Sequence, residues 1–159
     1  MTVKVVTDST ADLPAQLAQE LGIVVVPVYL RFGEEAYRDG VDIGHDEFYQ
    51  RLVESPIHPT TSQPTPGDFA EAYNRLSRET DEIVSIHLSS KTSGTYNSAL
   101  QGKEIAGAKC HIEVVDSFSV SMGLGLIAMV AARLAKADES LQGVMEEIRQ
   151  AIPCIRLLG

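Results

Sequence analysis

Small hydroxyl residues flanked by glycine and proline are the part of this sequence best suited to chemistry. Ser93 and Gly94 close a polar run, residues 89–95, that leads from an apolar segment into a helical one. A hydroxyl at a helix start, followed by glycine, leaves backbone N–H groups open to an anion, and the serine adds a donor of its own. The same arrangement also caps a helix with no ligand involved, and the local pattern leans to the cap. Thr61 and Ser62 lie within residues 55–67, the most proline-dense part of the chain. Rigid prolines hold hydroxyls in place at little entropic cost on binding. An ordinary turn with exposed hydroxyls is the plainer reading, and the local pattern favours it.

Asp8 follows a strand-like run, as the attacking carboxylate of an aspartyl phosphotransferase does. The usual Asp-x-Asp arrangement needs a second acid at position 10, where Thr10 stands. A capping role for Asp8 or Asp12 fits better; an α/β enzyme acting on a small anionic substrate through Asp8 is the alternative. A Ser/His hydrolase is a weaker fit. His87 is close to Ser93 in sequence, but there is no Gly-x-Ser-x-Gly elbow and no acid evidently placed to orient the ring. His45, His58 and His111 are isolated and read as solvated. The glycine-rich nucleotide signatures are missing. Gly123 and Gly125 sit in an apolar helical run and suit close packing or access to an apolar cavity. No cofactor or metal is expected, because Cys110 and Cys154 stand far apart and form no Cys-x-x-Cys pair. Two such cysteines fit a reducing cytosol better than a disulfide.

These residues need a scaffold to bring them together, and short β-branched runs alternate with segments of helical period. Residues 3–6 read as a first strand, followed by turn and cap residues at 8–12. Pro14 suits a first helical turn, Leu13, Leu17 and Leu21 repeat every four residues, and Gly22 stands where a helix stops. Residues 23–30 are a nearly continuous apolar run, expected to form one strand covered on both faces. Residues 31–42 read as a loop or small hairpin and 46–54 as a helix, while 55–67 cannot be helix interior. Thr65, Pro66 and Asp68 predict a capped helix with proline at its first position, burying Phe69, Tyr73 and Leu76. Further strands fall at 83–88 and 112–115, and further helices at 96–105 and 120–137. Leu141, Val144, Met145, Ile148 and Ile152 mark one face of a last helix, which Pro153 stops. The alternation predicts an α/β fold, an open parallel sheet of about four strands with helices on both faces. Ligands bind such sheets at the carboxyl ends of the strands, and the polar loops 8–12, 89–95 and 116–121 all follow strands.

Charge narrows the partners. Thirteen basic against 22 acidic residues leave a net charge of -9, so the surface repels phosphate backbones and nucleic acid is a poor partner. Anionic membranes disfavour the same surface. The most apolar stretch, residues 122–134, includes Arg133 and falls short of the roughly 20 residues of a membrane span. Met1 leads straight into the first strand with no signal-peptide pattern, so a cytoplasmic location is expected. A chain of 159 residues is long enough for one domain with its own core.

Four segments, in order, resemble the DegV family. They are residues 6–14 (Val-Thr-Asp-Ser-Thr-Ala-Asp-Leu-Pro), 60–66 (Thr-Thr-Ser-Gln-Pro-Thr-Pro), 88–99 (Leu-Ser-Ser-Lys-Thr-Ser-Gly-Thr-Tyr-Asn-Ser-Ala) and 114–117 (Val-Val-Asp-Ser). Any one is a weak signal, but four in register across nearly the whole chain are specific. The resemblance implies the N-terminal α/β domain of a fatty-acid-binding protein over residues 1–152. It implies that 153–159 begin a second domain, which in the family closes over the ligand. It further implies one long-chain fatty acid, with its tail in an apolar tunnel and its carboxylate held by the hydroxyls of Thr61 and Ser93, with Ser62 and Gly94 beside them. The implied role is a lipid-binding carrier with no catalytic constellation of its own. Such a carrier presents its fatty acid to a dihydroxyacetone-kinase-like subunit, which converts the carboxylate to an acyl phosphate. Transient membrane contact by the full-length protein is compatible with that role.

Overall fold

The computed structural model describes residues 3–107 and 109–156. Its elements run β1 (Lys4–Asp8), a 3-10 turn (Ser9–Ala11), α1 (Ala15–Leu21), β2 (Ile23–Val26), β3 (Tyr29–Phe32), β4 (Glu35–Arg38), α2 (His45–Glu54), β5 (Thr60–Ser62) and α3 (Pro66–Leu76). After these come β6 (Glu82–His87), α4 (Thr95–Ile105), β7 (His111–Asp116), α5 (Met122–Lys136), α6 (Leu141–Ala151) and a final 3-10 turn (Ile152–Cys154). Four strands form a parallel sheet in the order β2-β1-β6-β7. The expected α/β architecture is therefore present.

Alternation along the strands divides the core between the two faces of this sheet. Val5, Val84, Ile86 and Val115 face α1, α5 and α6, packing with Ala18, Ile127, Ala131, Val144 and Ile148. Val6, Ile83 and Ile112 face α3 and α4, packing with Phe69, Tyr73, Leu76 and Ala99. Phe69 and Tyr73 are fully buried, as their spacing predicts. Two glycines allow close approaches. A β-carbon on Gly102 would stand 2.5 Å from Cβ of Phe69, and one on Gly125 2.5 Å from the Ala11 carbonyl oxygen. Gly125 thus serves close packing, one of the two roles its sequence context suggests.

The apolar run 23–30 is not one strand. It ends in the parallel sheet at Val26 and re-enters a second, antiparallel sheet at Tyr29, whose order is β4-β3-β5. Pro27 has no N–H to continue the ladder, and the N–H of Val28 donates to Ser9 Oγ instead, at 3.1 Å. The proline-dense segment also holds a strand that the sequence does not reveal. Pro59 and Pro64 lie outside β5, so Thr60, Thr61 and Ser62 keep their N–H groups and pair with Arg31, Leu30 and Tyr29. The helix α2 lies on this small sheet, with Phe48 edge-on to Phe32 at 6.1 Å above Leu30 and Ile43.

Local chemistry sets the helix ends. Thr65 and Asp68 form the predicted capping box at α3: Thr65 Oγ1 accepts from the Asp68 N–H (3.2 Å) and Asp68 Oδ2 accepts from the Thr65 N–H (2.7 Å). Gly22 closes α1 at φ 70°, a conformation that favours glycine. Among the described residues, no helix is long and apolar enough to cross a membrane. Of the terminal run 153–159, residues 157–159 lie outside the described residues.

Candidate ligand-binding site

The three polar loops converge at the carboxyl edge of the parallel sheet, as expected from topology. The N–H of Leu88 donates to Asp8 (3.1 Å), that of Ser89 to the Ser119 carbonyl (3.0 Å), and that of Ser90 to Asp116 (3.2 Å). Ser121 Oγ donates to Asp12. Three of the four non-glycine residues with left-handed φ among the described residues lie here: Asp12 (52°), Phe118 (49°) and Ser121 (53°). Such conformations cost on the order of 1 kcal/mol each and persist only where surrounding contacts hold them.

The turn that carries Ser93 is built on Ser89. The Ser89 carbonyl accepts from the N–H groups of Thr92 (3.0 Å) and Ser93 (3.1 Å), and Ser89 Oγ accepts from Lys91 (3.3 Å). Ser93 Oγ accepts from the Thr95 N–H (3.2 Å) and shares a hydrogen bond with the Thr95 hydroxyl (2.9 Å). Ser93 therefore does satisfy a backbone donor at the start of α4, while its side chain stays half-buried rather than sealed. Gly94 lies under the carboxamide of Gln63. A β-carbon on Gly94 would meet Gln63 Nε2 at 2.7 Å. This contact joins the β5 segment to the Ser93 turn, so Thr61, Ser62, Ser93 and Gly94 belong to one neighbourhood. Thr61 is exposed and sits opposite Leu30, and Ser62 is half-buried opposite Tyr29. The Tyr29 hydroxyl donates to Asp68 at 3.1 and 3.2 Å. Burial and the Asp68 carboxylate together push that phenol above its usual range.

Beside this neighbourhood lies a cleft of about 570 Å³ between the first loop and the small sheet with its helix α2. Leu13, Val25, Leu30, Phe48 and Tyr49 give it apolar walls, with Asp12 and Asp39 among its polar groups. Thr61, Ser62, Ser93 and Gly94 are not among its lining residues, but Leu30 is, and Leu30 is the cross-strand partner of Thr61. The space takes the form of a cleft here, whereas the family resemblance leads one to expect a tunnel.

Sequence reasoning missed the partners of His87. An acid does orient the ring: His87 Nδ1 stands 3.0 Å from Asp8 Oδ2. On the other side, Nε2 stands 2.6 Å from Ser85 Oγ, which lies 2.8 Å from the Tyr73 hydroxyl. Asp8, His87, Ser85 and Tyr73 are all fully buried. Their residue types match a Ser-His-Asp triad, yet the serine points into the core, so the arrangement is a buried polar network. The available signal was the pairing of two parallel strands: Asp8 and His87 each end one, and Ser85 precedes His87 by the two-residue period of one face. Asp8 also caps the following turn, as expected, accepting from the Thr10 N–H (3.2 Å) and the Thr10 hydroxyl. Burial raises its pKa, but the electrostatic and hydrogen-bonding interaction with His87, together with hydrogen bonds from Thr10 and Leu88, outweighs that and holds it below the usual carboxylate value. Of the other histidines, His45 and His58 are exposed, as expected. His111 is exposed too but not isolated, since Nε2 lies 2.7 Å from Glu113. Cys110 and Cys154 are free thiols.

The architecture is that of a parallel α/β sandwich with a small antiparallel sheet attached beside its carboxyl edge. The model of the DegV family of uncharacterised proteins matches residues 2–158, so the chain belongs to the DegV family. A DegV domain-containing protein of Caldanaerobacter subterraneus subsp. tengcongensis is 38% identical over 154 residues, covering 97% of this chain and 54% of the relative. Among solved structures, DegV from Bacillus subtilis, described as a fatty acid binding protein, matches with a TM-score of 0.89 and 32% identity, over 94% of this chain and 53% of that one. A stearic-acid-binding protein from Eubacterium ventriosum matches with a TM-score of 0.85 and 30% identity, over 92% and 52%. The chain spans about half the length of the relatives it matches.

Proposed function

We propose that this chain binds a long-chain fatty acid, its carboxylate held by Thr61 and Ser93, with Ser62 and Gly94 beside them, and its tail in the adjoining cleft. The observation that carries this reading is the seat of Gln63 on Gly94, which brings two hydroxyl-bearing loops from distant parts of the chain to the start of α4. An eleven-residue helix turns its N-terminal N–H groups toward that point, where an anion is favoured. Lys91, whose Nζ lies 5.7 Å from the centre of the Phe118 ring, adds a positive charge to the same loop. Each methylene removed from water contributes about 0.8 kcal/mol, so the tail supplies affinity while the polar groups fix the head. The fatty-acid-binding descriptions of the Bacillus and Eubacterium proteins support the ligand class.

In this reading the protein is a cytoplasmic carrier, and its two free thiols fit a reducing compartment. Residues 1–152 form its N-terminal unit and 153–159 lead to a second one that closes over the ligand, as the greater length of the relatives supports. The bound acid is presented to a dihydroxyacetone-kinase-like subunit for acyl-phosphate formation. Asp8 does not support the phosphotransferase alternative, because it is buried and both of its oxygens are engaged. Titration of the full chain with stearate labelled with ¹³C at the carboxyl group tests the assignment. Saturable binding that Ser93→Ala weakens by about tenfold is expected from the loss of one charge-assisted hydrogen bond. Absence of binding, or equal affinity in wild type, Ser93→Ala and Thr61→Ala, overturns it.

A further inference from the structure

The buried network around His87 uses every polar atom it contains in a single direction. A carboxylate only accepts hydrogen bonds. Asp8 Oδ1 takes the N–H and hydroxyl of Thr10, and Oδ2 takes the Leu88 N–H together with His87 Nδ1. His87 must therefore carry its proton on Nδ1. Nε2 is then an acceptor for the Ser85 hydroxyl, and Ser85 Oγ accepts in turn from the Tyr73 hydroxyl. One neutral tautomer satisfies all four side chains, an assignment that follows from the network. A second proton on the ring would make Nε2 a donor to Ser85 Oγ as well, and one of the two buried hydroxyl protons, that of Ser85 or that of Tyr73, would be left without an acceptor.

The Asp8 end of this chain reaches the candidate site. One carboxylate clamps the openings of two loops, at Thr10, two residues past β1, and at Leu88, the first residue past β6. From Leu88 the next residue is Ser89, whose carbonyl and hydroxyl hold the N–H groups of Lys91, Thr92 and Ser93. Hydrogen bonds thus run from Tyr73 on α3 through the core to the Leu88 N–H, and the peptide link from Leu88 to Ser89 carries the path on to the backbone of Ser93. The imidazole is further held by Phe69, edge-on at 4.8 Å.

We propose that Asp8 and His87 are positioning residues for the Ser93 turn, with Ser85 and Tyr73 fixing the His87 tautomer that keeps Asp8 in place. The ligand part of this inference rests on the proposed fatty-acid site; the positioning part does not. The two amides that replace histidine separate chemistry from volume: His87→Asn keeps a donor at the Nδ1 position, whereas His87→Gln places its amide at the Nε2 position. Asp8→Asn removes one of the two acceptor oxygens at almost unchanged size. Amide hydrogen exchange on the full, ligand-free chain is expected to quicken at Leu88 and Ser93 by about tenfold or more, relative to Ile86, in Asp8→Asn and His87→Gln. His87→Asn should stay near wild type. ¹⁵N spectra of wild-type His87 should show a protonated Nδ1 and a bare Nε2. Titration with carboxyl-labelled stearate should rank affinity in the same order as exchange. Equal behaviour of the two His87 variants, an unaltered Ser93 amide, or the opposite tautomer overturns the proposal. If wild type fails to bind stearate, the ligand assignment falls, while exchange and tautomer still decide the positioning role. If the substituted chains do not fold, the wild-type tautomer decides it.

Discussion

Replacing Ser85 with alanine removes a single oxygen, yet that oxygen serves two buried neighbours. The Tyr73 hydroxyl loses its acceptor at 2.8 Å and His87 Nε2 loses its donor at 2.6 Å, and neither side chain has solvent to turn to. A buried polar group left without a partner costs about 1–3 kcal/mol, so with two such groups Ser85→Ala should destabilise the fold by about 2–6 kcal/mol. For a domain of this size that is a drop in Tm of roughly 4–24 °C. Tyr73→Phe alone is milder, because Ser85 still donates to His87; about 1 kcal/mol is expected for one lost hydrogen bond. The informative variant is the double one. Tyr73→Phe in the Ser85→Ala background removes the orphaned hydroxyl, so the pair should be more stable than Ser85→Ala alone by about 1 kcal/mol or more. Urea denaturation of wild type, both single variants and the double variant closes the cycle. If the two losses simply add, Tyr73 and Ser85 are not partners and the directional network is wrong.

Other substitutions test the rest of the structure. Gly94 has an ordinary φ of -78°, and the atom in the way of a new β-carbon is the flexible end of Gln63. Gly94→Ala should therefore change stability by less than about 0.5 kcal/mol while weakening stearate binding about fivefold by shifting the joined loops, which calorimetry would read. Thr65→Ala removes one half of the capping box at α3 and should cost about 1 kcal/mol in urea midpoint terms. Asp8, held below its ordinary 3.8 in the folded chain, contributes stability that is fully present above that value and is lost as pH falls through its lower folded pKa. Wild type should lose stability more steeply than Asp8→Asn on acidification below 3.8; parallel curves would contradict the assigned charge.

Periodic and capping patterns in the sequence specify most of the main scaffold. The capping box at Thr65, the buried face of Phe69, Tyr73 and Leu76, the Gly22 stop and the four parallel strands are local effects of backbone and spacing. Motif order also carried the family, which Thr61 and Ser93 would not have revealed by chemistry alone. The second sheet was less legible. An apolar run does not disclose that Pro27 will divert it, nor that three residues between prolines will be claimed as a strand by β3. Strand pairing is a bargain between distant segments, and neither segment records it. The same limit applied to His87. In the sequence it stands as a histidine without an acid, because Asp8 lies 79 residues away and reaches it only when β1 and β6 lie side by side. The sequence by itself determined the parallel core, the loops at its carboxyl edge and the family, since these follow from local propensity and residue order. Tertiary structure alone decided that Gln63 rests on Gly94, and that Asp8, His87, Ser85 and Tyr73 form one chain. Such contacts depend on where side chains from separate elements meet, and hydrogen-bond direction is settled only once every buried donor has found its acceptor.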